Sequence, residues 1–175
     1  VIYCGSFSKT VAPALRVGYL VAKKDFLERA LSYKTDAGSG ALEQLVLAEF
    51  CARQFDGHVA RLSAHLAKKA DLMCAAFEKY FGASADYIRP VGGIFIWVKL
   101  PFSVDTTRLA EVADTHGVAI NPGAEWSSAS DASQYMRLCF GYPDAKTIDE
   151  GIKRLAEICK AEFGLPSQIA NKTEV

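Results

Sequence analysis

Gly5-Ser6-Phe7-Ser8-Lys9-Thr10-Val11-Ala12-Pro13-Ala14-Leu15-Arg16-Val17-Gly18-Tyr19 joins two short apolar runs, Val1 to Cys4 and Val17 to Val21. Ser, Gly and Pro set between β-branched and aromatic residues are the punctuation of strand, loop, strand, so the chemistry of this region belongs to the loop Gly5 to Arg16. Serine hydroxyls, an amine and a guanidinium share that one connection, a set suited to a phosphate. Hydroxyls donate to phosphate oxygens, Arg16 offers a bidentate charge-assisted pair, and Lys9 is a nucleophile fit to attack an aldehyde.

Working outward, Lys24 to Tyr33 reads as a short helix, and Gly38-Ser39-Gly40 precedes a long helical stretch from about Ala41, with Leu42, Leu45, Val46 and Phe50 as its first apolar stripe. A polar break is expected at Gln54 to Gly57. Beyond it Val59, Leu62, Leu66, Ala70, Met73, Phe77 and Tyr80 recur at intervals of three and four, one buried helical face. Gly82 is the expected stop. The period then shortens, and Tyr87 to Arg89 and Ile94 to Leu100 read as two strands around the turn Pro90 to Gly93. Asp105 caps a helix that ends at His116-Gly117, Val118 to Ile120 gives a brief strand into Asn121-Pro122-Gly123, and Met136 to Phe140 gives another. Asp144 with Thr147-x-x-Glu150 signals a last helix whose inner face is Ile148, Ile152, Leu155 and Cys159.

The resulting fold class is α/β, with an α+β small domain. The expected organisation is residues 1–40 as the end of a larger domain, 41–82 as connecting long helices, 83–164 as the small α+β domain, and 165–175 as a flexible tail. Because the chain starts with Val1 inside a strand-like run, it is expected to be a piece of a longer protein.

The chain has 175 residues, 50% of them hydrophobic, enough for a sizeable core. Twenty Lys+Arg against twenty Asp+Glu leave no net charge to draw the chain to nucleic acid or to an anionic membrane. Its apolar runs are far shorter than a bilayer span. Five cysteines without a C-x-x-C pair read as buried thiols of a reducing compartment, so a cytoplasmic location is expected. His58 and His65 lack a third ligand at metal spacing and read as surface residues, so no metal site is expected. His116 suits a helix C-terminus.

Ser6-x-Ser8-Lys9, with Arg16 seven residues later in Leu15-Arg16-Val17-Gly18-Tyr19, resembles the cofactor-lysine signature of fold-type I pyridoxal-phosphate enzymes, the class I/II aminotransferases. Three further segments stand in that family's order: Pro90 to Trp97, Gly117 to Gly123, and Met136 to Phe140. Ala41 to Phe50 is similar to the branch that holds 2-aminoadipate and kynurenine-type aminotransferases. The resemblance implies that Lys9 forms an internal aldimine with pyridoxal 5′-phosphate and then shuttles the proton between the substrate α-carbon and C4′ of the cofactor. It also implies that Ser6 and Arg16 hold the phosphate, with Ser8 as a weaker contributor, and that Arg137 binds the substrate α-carboxylate. A planar guanidinium matches a carboxylate through two parallel hydrogen bonds, which supports that last role independently; the bland alternative for Arg137 is an internal carboxylate pair.

The same resemblance implies an amino acid and a 2-oxo acid as substrates and a homodimer in the full protein. The family's glycine-bearing phosphate loop, ring-stacking aromatic and acidic partner of the pyridine nitrogen stand before Val1, so these residues alone are expected to be inactive. Two alternatives share Lys9 and Arg16: the aminotransferase-like, ligand-sensing domain of a transcription regulator, and a lyase on the same fold. Asn121-Pro122-Gly123 is expected to form a loop near the substrate entrance whose side chains carry no assignable chemistry, and Trp97 and Trp126 stay open between core, substrate pocket and interface.

Overall fold

Along Phe95–Lys99 and Tyr135–Cys139 the side chains alternate between buried aliphatic residues and more exposed aromatic, charged or thiol ones, building the central feature of the fold, a sheet with one buried and one open face. The computed structural model describes residues 1–165. The expected tail lies, from position 166 on, outside the described residues. The chain divides into two units, Val1–Leu62 and the part beginning at Ser63.

In the first unit, β1 (Tyr3–Ser6) and β2 (Gly18–Val21) form an antiparallel pair in the register Tyr3↔Val21 to Ser6↔Gly18. Tyr3, Tyr19, Leu20 and Val21 are all exposed, an apolar surface without a covering layer among the described residues. Helix α1 (Lys24–Leu31) follows, then α2 (Ala41–Tyr80). The expected break at 54–57 does not occur: α2 runs unbroken for 40 residues. No proline stands there, and one glycine, Gly57, costs a helix interior only about 1 kcal/mol, less than restarting a helix. Leu47 is buried, whereas Leu42, Leu45 and Val46 of the first stripe are exposed.

In the second unit four antiparallel strands lie in the order β3 (Asp86–Tyr87), β4 (Phe95–Lys99), β6 (Tyr135–Cys139), β5 (Asn121–Pro122). Ile96, Val98, Met136 and Leu138 point to the buried face and join one core with Met73 and Phe77 of α2, Leu109 and Ala113 of α3 (Thr106–Thr115), and Ile148, Ile152, Leu155 and Cys159 of α4 (Ala145–Phe163). The caps are those the sequence signals: Asp105 accepts from the Thr107 amide at 2.8 Å and Asp144 from that of Thr147 at 2.7 Å. Burial of Leu109, Leu155 and their neighbours stabilises this unit at about 25 cal/mol per Å² of apolar surface removed from water.

Two strands differ from expectation. Only Asp86 and Tyr87 pair with β4, while Ile88 and Arg89 leave the sheet into the Pro90 to Gly93 turn. The strand expected over Val118 to Ile120 forms instead at Asn121–Pro122. Val118 and Ile120 are buried all the same, so apolar spacing locates the segment but not its pairing.

Candidate functional site

Ser6 is the last residue of β1, and the Phe7 amide extends the pairing by donating to the Val17 carbonyl at 3.2 Å. The amides of Val11 and Ala12 both donate to the Phe7 carbonyl, at 2.8 and 3.2 Å, closing a tight turn around Ser8, Lys9 and Thr10. Inside it Ser6 Oγ accepts from the Ser8 amide at 3.1 Å, and the Thr10 hydroxyl donates to the Ser6 carbonyl at 3.4 Å. Lys9 stands exposed on this turn. After a short 3-10 turn at Pro13–Leu15, Arg16 takes φ 53°, the one positive φ of a non-glycine residue among the described residues. Its Nη1 donates to the Pro13 carbonyl at 3.0 Å. A left-handed arginine costs about 1–2 kcal/mol, so the fold holds this backbone against its own preference, and such outliers cluster at ligand sites. Among the described residues neither Lys9 nor Arg16 has a carboxylate partner.

His58 supports this loop, a role that the sequence does not reveal. Rather than an idle surface residue it is half-buried, with Nε2 2.8 Å from the Thr10 carbonyl oxygen and its ring edge-on to Phe50 at 5.3 Å. A carbonyl only accepts, so Nε2 carries the proton. A histidine on helical spacing gives no sign of a partner 48 positions away. His65 is exposed, as expected.

Arg137 belongs to the second unit, on the open face of the sheet. Trp97 on β4 and Asn121 on β5 stand directly opposite it, making one row across three strands. Its Cζ lies 3.3 Å from the ring centre of Trp126 and 4.1 Å from that of Phe95. Nη2 donates to Asn121 Oδ1 at 3.4 Å, and Nε is sealed from solvent without a hydrogen-bond partner. Asn121 therefore does carry assignable chemistry. The loop is held close because Gly123 has no Cβ, which would run into the carbonyl oxygens of Ala132 and Tyr135. No carboxylate among the described residues pairs with Arg137, against the bland alternative of an internal ion pair.

Beside this row Trp97 stacks on Tyr135 at 5.5 Å and 17°, flooring a cleft of about 480 Å³ that Tyr87, Lys99 and Asp131 also line. Lys99 donates to Asp131 at 3.0 Å, which holds the Asp131 carboxyl below its usual range and raises Lys99. The cysteines need correction: Cys74 and Cys159 are buried, but Cys4 and Cys139 are exposed. Both exposed thiols sit at solvent-facing positions on strands, which apolar neighbours in sequence cannot reveal.

Residues 1–155 match the family model described as aminotransferase class I and II. The chain belongs to this family. Among curated relatives, aromatic-amino-acid aminotransferase 1 of Thermococcus litoralis is 33% identical over 166 residues, 93% of this chain and 40% of its own. An uncharacterized HTH-type transcriptional regulator of Bacillus subtilis, YdfD, is 33% identical over 163 residues, 91% of this chain and 33% of its own. Among solved structures, the α-aminoadipate aminotransferase LysN of Thermus thermophilus, complexed with N-(5′-phosphopyridoxyl)-L-leucine, aligns with a TM-score of 0.85 and 31% identity. That alignment covers 92% of this chain and 42% of the other. The chain thus spans about two-fifths or less of the length of these relatives. The fold is that of fold-type I aminotransferases, whose cofactor is pyridoxal phosphate. The donors of the Ser6 to Arg16 loop, hydroxyls, a guanidinium without a carboxylate partner among the described residues and an exposed primary amine, fit that group's phosphate and aldehyde.

Proposed function

We propose that this chain is the C-terminal portion of a pyridoxal-phosphate-dependent aminotransferase, which exchanges an amino group between an amino acid and a 2-oxo acid. The observation that carries the reading is the loop from Ser6 to Arg16: a left-handed arginine and a free lysine with no carboxylate partner among the described residues, beside two serine hydroxyls. Arg16 and Ser6, aided by Ser8, hold the phosphate through charge-assisted hydrogen bonds. When bound, the cofactor supplies an electron-accepting ring that stabilises negative charge on the substrate α-carbon. Lys9 Nζ would hold the cofactor at its aldehyde and, once freed by substrate, would take up the proton of the substrate α-carbon and return it as an acid in the same transfer. Arg137 binds the α-carboxylate and so sets which bond of the α-carbon is aligned for cleavage. In this reading the full protein is a cytoplasmic homodimer built from large and small domains, and the chain alone does not turn over.

The test is borohydride reduction of the full-length protein with pyridoxal phosphate, followed by peptide mapping and an assay with amino acid and 2-oxo acid pairs. Pyridoxyl label confined to Lys9, lost in Lys9→Ala together with amino transfer, is the expected result. Label at Lys9 without turnover of any pair would favour the ligand-sensing regulator, a reading that the likeness to an HTH-type regulator keeps specific. Release of ammonia would point to a lyase. Label elsewhere would overturn the assignment.

A further inference from the structure

We propose that Phe95 and Trp126 turn Arg137 into a slot that admits planar carboxylates and rejects tetrahedral oxyanions; this rests on the reading of Arg137 as the α-carboxylate anchor. The guanidinium carbon lies 3.3 Å from one ring centre and 4.1 Å from the other, both at stacking distance. Rings this close displace water from the flat surface of the cation and leave its edge as the way in. Nε is sealed and unpartnered, so the ligand meets the two terminal nitrogens, and Asn121 Oδ1 already takes one hydrogen of Nη2. The remaining pair of N–H groups lies in the guanidinium plane.

A carboxylate that accepts both bonds lies in that same plane and is one atom thick. It passes between the rings. A sulfonate carries the same single charge, but its third oxygen stands out of the plane and strikes Trp126 or Phe95. The slot is therefore a shape filter added to a charge, and the charge alone would not discriminate. Trp126 is fixed by its amide, which donates to the Gly123 carbonyl at 2.9 Å, yet the residue is 53% exposed, so its removal leaves the core untouched.

The test compares dissociation constants, by calorimetry on the full-length protein, of an alkyl carboxylate and the alkyl sulfonate of the same chain, neither of which reacts. The expected wild-type preference for carboxylate falls at least about tenfold in Trp126→Ala, equal to about 1.4 kcal/mol, and is largely restored in Trp126→Phe. Far-ultraviolet circular dichroism checks that each variant is folded. An unchanged preference in folded Trp126→Ala, or none in the wild type, overturns the slot. Arg137→Gln separates the two readings. If it leaves carboxylate binding intact, the anchor itself is wrong; if it abolishes binding while Trp126→Ala keeps the preference, only the slot fails.

Discussion

His58 Nε2 lies 2.8 Å from the carbonyl oxygen of Thr10, tying helix α2 to the turn that presents Lys9. The turn's other supports, the Phe7 carbonyl accepting from Val11 and Ala12, are local to it. His58 is the side chain on α2 that fastens it. Loss of this bond costs about 1 kcal/mol and leaves the Thr10 carbonyl to water. In His58→Ala the Val11 and Ala12 amides should exchange several-fold faster while the helix is retained. Hydrogen exchange read by mass spectrometry checks this, and unaltered exchange would mean the turn holds itself.

Much of the fold is legible in the chain. Caps at Asp105 and Asp144 and the inner face Ile148, Ile152, Leu155, Cys159 follow from spacing, because capping and helical periodicity are local properties. The Lys9 loop is legible for the same reason: its four proposed ligand residues lie within one connection. What escapes the sequence are pairings set by tertiary contact. Asn121 meets Arg137 across a sheet register, Trp126 stacks on Arg137 from a separate loop, and His58 reaches a carbonyl far away in sequence. The unbroken course of α2 is obscured because polarity at 54–57 mimics a break, although polar residues are ordinary on an exposed helical face.

Arg137 and Asn121 should respond differently to substitution. Arg137→Lys keeps the charge but loses the planar fork, and in the full-length protein KM for both amino acid and 2-oxo acid should rise by roughly one to two orders of magnitude. Asn121→Ala removes only the acceptor at 3.4 Å and should raise both KM values a few-fold, with kcat nearly kept. Steady-state kinetics in both directions decide it. Equal effects from the two variants would count against Asn121 as a mere positioning residue.

Asp149 gives the second unit a pH dependence. Tyr80 donates to its Oδ2 at 2.8 Å and Lys79 to its Oδ1 at 3.0 Å, clasping α4 to the end of α2. These bonds, that of Tyr80 first, hold the Asp149 carboxyl below the usual carboxylate range. The folded state thus favours the ionised form, so the contribution is complete above the unfolded value, about 3.9, and is lost as pH falls through the lower folded value. Asp149→Asn should lower the melting temperature at pH 7, and the gap to wild type should close as pH falls below about 4. A constant gap down to low pH would show that the carboxylate charge is not what stabilises.

The five cysteines should separate by accessibility and by thiolate supply. Cys4 and Cys139 are exposed, Cys51 is half-buried, and Cys74 and Cys159 are buried. Burial also raises the thiols of Cys74 and Cys159, the latter to about 11, so at pH 8 both lack the reactive thiolate as well as access. Iodoacetamide at that pH should modify Cys4 and Cys139 first and leave Cys74 and Cys159 untouched until denaturant is added, as peptide mass spectrometry would report. A raised folded value also fixes the sign of the pH effect. The folded state favours the neutral Cys159 thiol, so its contribution is complete below the ordinary value of 9.0 and is lost as pH climbs towards about 11. The melting temperature should accordingly fall above pH 9, less steeply in Cys159→Ala; an identical slope in that variant would assign the alkaline loss to other groups.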